Sequence, residues 1–199
     1  MYDWLAQRVE WTLRTAKALE LNGFRWTVNA PARDEELQSC ESALARIGIP
    51  FSPSHRAFLS LNNGAEFSFG GRTRDDVEWG DSMSILPTSS LEAIANELDP
   101  ANGRDTALGR PHFFWDATLP VIDLRDLNYL VINPRIITEG ESSVFYSGSE
   151  LGPTYGDGMF YAAPSFELCL MRIFDNVGIR REPPEFWHRR SRLRYDRSS

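Results

Sequence analysis

Three short apolar runs in the second half of the chain constrain its fold most strongly. They cover residues 119–124, 129–133 and 143–146, and the residues between them are typical of turns. Strands that are joined by connections this short pair as antiparallel hairpins, because a parallel pair needs a long crossover. The sequence therefore predicts an antiparallel sheet in this half of the chain.

Helical periodicity surrounds this strand region. Apolar residues recur at three- and four-residue spacing and predict helices over residues 3–22, 34–47, 53–61, about 90–98 and 165–177. Ser52 is the predicted N-cap of the third helix, and Ser89 or Ser90 that of the fourth. Further strands are predicted over residues 24–28, 65–71 and 82–87, with a charged loop from Arg72 to Asp81. This order indicates an α+β fold, with a mainly antiparallel sheet flanked by N-terminal helices and a C-terminal helix.

The charge of the chain is unevenly distributed. Residues 180–197 hold seven arginines against three acids, a local charge of +4 within a total of −7, so the rest of the chain carries −11. An acidic body repels nucleic acid and attracts basic proteins. The charge alone favours a merely soluble acidic surface, and for this body we expect no nucleic-acid partner. The alternatives for the short basic tail are contact with RNA, with a membrane surface or with the acidic body itself. The tail is expected to pack through Phe186 and Trp187 or not at all.

Residue spacing gives no support for a catalytic or metal centre. The three histidines, His55, His112 and His188, lack the spacing of zinc ligands, and no phosphate-binding loop or Gly-x-Ser-x-Gly motif occurs. Cys40 and Cys169 fall on apolar helix stripes and are predicted to be buried free thiols. We expect no metal, no cofactor and no enzymatic activity.

Two features leave alternatives open. Asp123 and Asp126 are either an acid/base pair or turn-forming residues at the end of a strand, and turns are the favoured interpretation. The aromatic residues at 113–115 and 155–161 either stack on nucleic-acid bases or pack in the protein. Packing is favoured because no basic residues are interleaved with them.

No apolar run is long enough to span a membrane, and charged residues interrupt the N-terminal stretch where a signal peptide needs an apolar core. We therefore expect a cytoplasmic protein with no membrane partner.

One segment resembles the opening signature of the SUKH superfamily. The matching residues are Glu41, Leu44, Ile47-Gly48-Ile49-Pro50, Arg56, Phe58-Leu59, Leu61 and Asn63-Gly64. The family pattern is a helix ending in Leu-Gly, then Leu-Pro, then a Tyr-x-x-Phe-Leu helix ending in Asn-Gly. This chain departs from it at Ile49 and at Ser54-His55. The resemblance implies a SUKH-like domain over residues 34–178, preceded by an extension over 1–33 and followed by an Arg-rich tail over 179–199.

The resemblance also implies a function. Bacterial members look like immunity proteins that bind and neutralise a co-encoded toxin, often a nuclease, and fungal relatives act as scaffolds in cell-wall regulation. We expect a non-enzymatic immunity protein, with a regulatory or scaffold protein as the alternative and an enzyme that uses Asp123 as a third candidate. The expected partner-binding residues are the loop acids and a neighbouring glutamate: Glu66, Asp75, Asp76, Glu78 and Asp81.

Overall fold

The computed structural model of the chain describes residues 1–18, 24–72, 78–99, 118–125, 128–147 and 159–177. It gives only the backbone at residues 69–72, 78–81, 159–160 and 176–177. Several predicted features lie outside the described residues: residues 73–77, residues 100–117, Asp126, residues 155–158 and the Arg-rich tail.

The helices confirm the periodicity argument. Within the described residues they are α1 Leu5–Ala18, α2 Asp34–Arg46, α3 Pro53–Leu61, α4 Thr88–Leu98 and α5 Phe166–Val177. The predicted serine cap of α4 is wrong, because the helix begins at Thr88 and its N-cap position is Pro87. The Asn63 side chain accepts a hydrogen bond from the Thr88 N–H at 2.8 Å and so replaces a local cap.

The strands form one antiparallel sheet and confirm the α+β class. They are β1 Arg25–Val28, β2 Ala65–Arg72, β3 Glu78–Ile85, β4 Leu119–Asp123, β5 Tyr129–Thr138, β6 Glu141–Ser147 and β7 Met159–Ala163. Their order in the sheet is their order in the chain, and each pairs antiparallel with the next.

The structure corrects two predictions about the strands and adds one strand. The charged loop from Arg72 to Asp81 is shorter than expected, because the β2–β3 pairing continues until Arg72 faces Glu78. Strand β5 continues past Asn133-Pro134, which the pattern treats as a terminator, and a register shift between Asn133 and Ile137 accommodates the proline. Strand β7 is an addition to the predicted strands.

An aromatic core fixes the helices on the sheet. Phe58 of α3, Phe67 of β2, and Phe166 and Phe174 of α5 are all fully buried. The Phe67 and Phe174 rings pack edge to face at 5.4 Å between centroids. Sheet and C-terminal helix therefore share one core.

Helix α1 packs on this same core. Leu5 and Ala16 are buried, and the hydroxyl of buried Tyr2 donates to the Ser54 carbonyl oxygen at 2.8 Å. The Tyr2 N–H and the Trp4 indole N–H both donate to the Glu167 carboxylate on α5, each at 2.9 Å. These contacts tie the N-terminal segment to both α3 and α5.

Candidate functional site

The structure places three of the five predicted partner-binding acids, Glu66, Glu78 and Asp81, on the β2–β3 hairpin. Glu66 lies exposed on β2, where it faces Thr27 and Ser84. Asp75 and Asp76 lie outside the described residues.

Glu78 and Asp81 are strand residues, not the loop residues that the sequence predicts. They face Arg72 and Phe69 in the β2–β3 register. Glu66 and Arg72 are six positions apart on β2, which corresponds to ~20 Å of strand. Glu66 is therefore remote from the far end of the hairpin. Asp81 is three positions from Ser84, the residue opposite Glu66, so its register position belongs to the other face of the sheet, and these acids do not form one surface.

A second acidic surface was missed because its residues belong to two helices that are distant in the sequence. Helices α2 and α4 hold six acids and one base: Asp34, Glu35, Glu36, Glu41, Glu92, Glu97 and Arg46. The Ser39 hydroxyl donates to Glu92 at 2.9 Å, and the Arg46 guanidinium donates to Asn96 at 2.8 Å. These contacts set the helices side by side and pointing the same way. Glu41 instead pairs with Arg56 of α3 at 3.6 Å. Glu35, Glu36 and Glu92 line one cleft between the two helices, and we call this surface the α2/α4 acidic face.

A cleft of about 300 Å³ opens where the N-terminal ends of these helices meet. Its lining includes three glutamates and one arginine: Glu35, Glu36, Glu92 and Arg33. Arg33 pairs with Glu36 at 3.1 Å. The hydrogen bond from the Arg33 backbone N–H, followed by that from its guanidinium, lowers the pKa of Glu36. The cleft is acidic and polar, and its chemistry suits a basic side chain of a partner.

The Asn63-Gly64 end of α3 joins three elements. Besides capping α4, Asn63 donates its backbone N–H to the Ala30 carbonyl at 3.0 Å. The carbonyl of Gly64 accepts from the Asn29 N–H at 3.1 Å, and Gly64 adopts a φ of +91°. Asn63 and Gly64, which end the segment that resembles the family signature, therefore connect α3, the start of α4 and the segment after β1 by hydrogen bonds. We call this connection the Asn63-Gly64 joint.

The other end of α3 is capped by a carboxylate from the sheet. Glu141 at the start of β6 accepts hydrogen bonds from the Ser54 N–H at 2.8 Å, the Ser54 hydroxyl at 2.8 Å and the Ser52 hydroxyl at 2.6 Å. Ser52 occupies the predicted N-cap position and Pro53 follows it, but the Ser52 side chain makes no capping bond of its own. A negative group here satisfies free N–H groups and complements the helix dipole.

His55 is buried in an aromatic environment. Its ring lies 4.4 Å from that of Phe166 and 5.8 Å from that of Phe51, measured between centroids. Within the described residues neither ring nitrogen has a hydrogen-bond partner, and burial lowers the pKa of His55 to about 3. His55 is therefore a neutral core residue, shielded from any partner.

We expect His55 to make the fold acid-sensitive. The neutral ring is stable in the folded state, whereas the unfolded chain takes up a proton below pH 6.5, so the contribution of this site is complete above pH 6.5 and is lost progressively as the pH falls toward 3. The loss amounts to about 2 kcal/mol at pH 5. Urea unfolding from pH 7.5 to 4.5 should show a flatter profile for His55→Leu. Equal slopes for the two proteins would contradict the assignment.

The two cysteines and Asp123 have roles in packing and in a turn. Cys40 and Cys169 are buried free thiols, as predicted, and burial raises the pKa of each to about 12. One oxygen of Asp123 accepts the Arg125 N–H at 2.7 Å, and Arg125 has a φ of +71°. Asp123 therefore shapes the β4–β5 turn, in agreement with the turn interpretation. Asp126 lies outside the described residues.

The described part of the chain has neither a metal-ligand cluster nor a membrane-spanning helix. No group of three or more His, Cys, Asp or Glu side chains there could hold a metal ion. None of the helices described there has the length and apolar character needed to cross a membrane.

Comparison with known proteins identifies a family to which most of the chain is similar. A family model described as the SMI1 / KNR4 family (SUKH-1) matches residues 31–172. The matched span runs from the segment before α2 to within α5, so it contains the Asn63-Gly64 joint and the α2/α4 acidic face. No curated protein and no solved structure matches the chain.

Proposed function

Because the chain belongs to the SMI1 / KNR4 family (SUKH-1), we propose that it is a non-enzymatic immunity protein, which binds a co-encoded bacterial toxin and neutralises it. The observation that carries this proposal within the family is the acidic surface. Glu35, Glu36 and Glu92 share the α2/α4 acidic face, and the β2–β3 hairpin adds the five acids Glu66, Asp75, Asp76, Glu78 and Asp81.

The charge supports a mechanism of competition. A toxin that acts on nucleic acid presents a basic groove, and an acidic protein that enters this groove replaces the phosphates of the substrate. Opposite charge accelerates association by electrostatic steering. A protein of this kind works by occupying the groove and needs no nucleophile of its own.

A regulatory or scaffold protein is the second candidate. Helix α1 lies N-terminal to the span that the family model matches and carries exposed apolar residues, with Trp11 and Leu13 more than 40% exposed. Surface aromatic and aliphatic residues of this kind are typical of recruitment surfaces.

A protection experiment distinguishes the two candidates. The product of the gene next to this one is expressed in a bacterial host with and without the protein. The immunity proposal expects growth arrest by the neighbour alone and restored growth on coexpression. If the neighbouring gene product arrests growth equally with and without the protein, immunity against that product is excluded and the scaffold candidate is favoured.

The acidic hairpin gives a kinetic prediction. Replacing Asp75, Asp76, Glu78 and Asp81 with the neutral amides should slow association with the toxin by about tenfold at low salt, with a smaller effect near ~0.5 M salt, because steering by rim charges is screened. Stopped-flow mixing measures the rate.

The matched variant neutralises Glu35, Glu36 and Glu92 on the α2/α4 acidic face. If the hairpin provides the steering, this variant should associate at nearly the parental rate. If the hairpin variant associates at an unchanged rate and the helix variant associates slowly, the toxin contacts the α2/α4 acidic face and not the hairpin.

A further inference from the structure

An apolar groove of about 450 Å³ lies between α1, β1 and the end of α3. Leu5 and Val9 of α1, Trp26 of β1 and Leu61 of α3 belong to its lining. Three large apolar side chains on its border are strongly exposed: Leu13 at 41%, Val28 at 43% and Leu61 at 49%. Exposed apolar side chains that share one concave surface mark a site that another segment covers.

Helix α5 ends beside this groove. The Phe174 ring packs edge to face on Trp26, which lines the groove, at 5.2 Å between centroids. One residue later, Asp175 forms an ion pair of 2.7 Å with Arg8 of α1. The chain therefore leaves α5 next to the two elements that form the walls of the groove.

We propose that the chain's own C-terminal segment, residues 178–199, docks in this groove and seats Phe186 and Trp187 against α1 and β1. This inference is independent of the toxin proposal, because it concerns how the chain completes its own surface.

The sequence of the segment fits the groove in its apolar content and its reach. Phe186 and Trp187 are adjacent aromatic residues in a segment that is otherwise rich in arginine. Phe186 follows Val177 by nine positions, so an extended chain spans up to ~30 Å. Helix α1, with its 14 residues, is only ~21 Å long. The aromatic pair can therefore reach any part of the groove.

Charge complementarity adds to this fit. Residues 180–197 carry a net charge of +4 and the rest of the chain carries −11. Glu10 of α1 borders the groove itself. Attraction between the basic segment and the acidic rest of the chain favours docking within one molecule. The covalent connection through α5 also keeps the effective concentration of the segment at the groove high.

Disulfide trapping in the full-length protein tests the proposal. The double variant Val28→Cys with Trp187→Cys is oxidised under mild conditions, and the yield of intramolecular disulfide is measured on non-reducing gels and by mass spectrometry. Cys40 and Cys169 remain unchanged, since both are buried. The matched control pairs Trp187→Cys with Ile137→Cys, a residue 58% exposed on β5. Strand β5 lies four strand positions from β1, a distance of ~19 Å.

The docked arrangement predicts at least a tenfold higher yield for the position 28 pair than for the control. Equal yields, or no disulfide in either variant, would overturn the proposal. A disulfide that links two molecules would assign the groove to a second copy and would overturn it as well. Leu61→Cys with Phe186→Cys repeats the test at a second position and replaces the first pair should Val28→Cys fail to fold.

Discussion

Gly64→Ala is expected to lower the free energy of unfolding by about 3 kcal/mol, within a range of ~2–5, because two costs combine at this position. Gly64 has a φ of +91°, which side-chain-bearing residues rarely adopt. An added Cβ would also lie 2.9 Å from the Ile85 carbonyl oxygen and 3.2 Å from the Pro87 nitrogen. Both of these atoms are backbone, in the strand and the cap that flank the joint, so relief requires moving secondary structure.

Gly48→Ala is the matched control. Gly48 has a φ of +73°, but no atom lies within 4 Å of an added Cβ. Only the conformational cost applies, and we expect a loss of about 1 kcal/mol. Urea unfolding of both variants distinguishes the free-energy cost of the positive φ, which both share, from the cost of the close Cβ contacts, which only Gly64→Ala has. Similar losses at the two positions would show that the joint at Gly64 is not tightly packed.

Glu141→Ala is expected to destabilise the fold by about 2–4 kcal/mol, because its carboxylate accepts three hydrogen bonds at the N-terminus of α3. Removing it leaves the buried Ser52 and Ser54 side chains without this acceptor. Ser54 also holds α1 and α5, through the Tyr2 hydroxyl and the Phe166 N–H. The loss should therefore extend to the packing of both terminal helices.

Two further variants provide a scale for the stability loss of Glu141→Ala. Glu66→Ala removes an exposed carboxylate of β2 and should change stability by less than about 0.5 kcal/mol. Glu141→Gln keeps the size and one acceptor oxygen, so its loss should fall between those of the two alanine variants. Thermal or urea unfolding provides the comparison. A Glu141→Ala variant as stable as Glu66→Ala would exclude the capping role.

Local patterns predicted the α+β class, because the periodicities of helix and strand are properties of short segments. The apolar stripe of α5 and the stop at Asn63-Gly64 could be recognised from neighbouring residues alone. The errors occurred where a distant residue decides the outcome. Asn63 moves the start of α4 to Thr88, and pairing with β2 turns Glu78 into a strand residue. Strand pairing and long-range caps depend on tertiary contacts that a window of sequence does not contain.

The candidate site also combines features that neighbouring residues determine with features that distant residues determine. The acidic character of the chain follows from composition, and the sequence located part of it in the β2–β3 hairpin. The α2/α4 acidic face required knowing that Ser39 lies against Glu92, residues that are 53 positions apart. The capping role of Glu141 was equally hidden, since its partners on α3 precede it by almost ninety positions.

Co-purification with the product of the neighbouring gene tests most directly whether the protein binds and blocks a toxin. A tagged copy of the protein is coexpressed with a catalytically inactive form of that product, and the eluate is analysed by size-exclusion chromatography. We predict a stable complex of defined stoichiometry with the inactive form, and loss of the active toxin's activity when the purified protein is added to it. A neighbouring toxin that elutes separately and stays fully active in the presence of excess protein would contradict it.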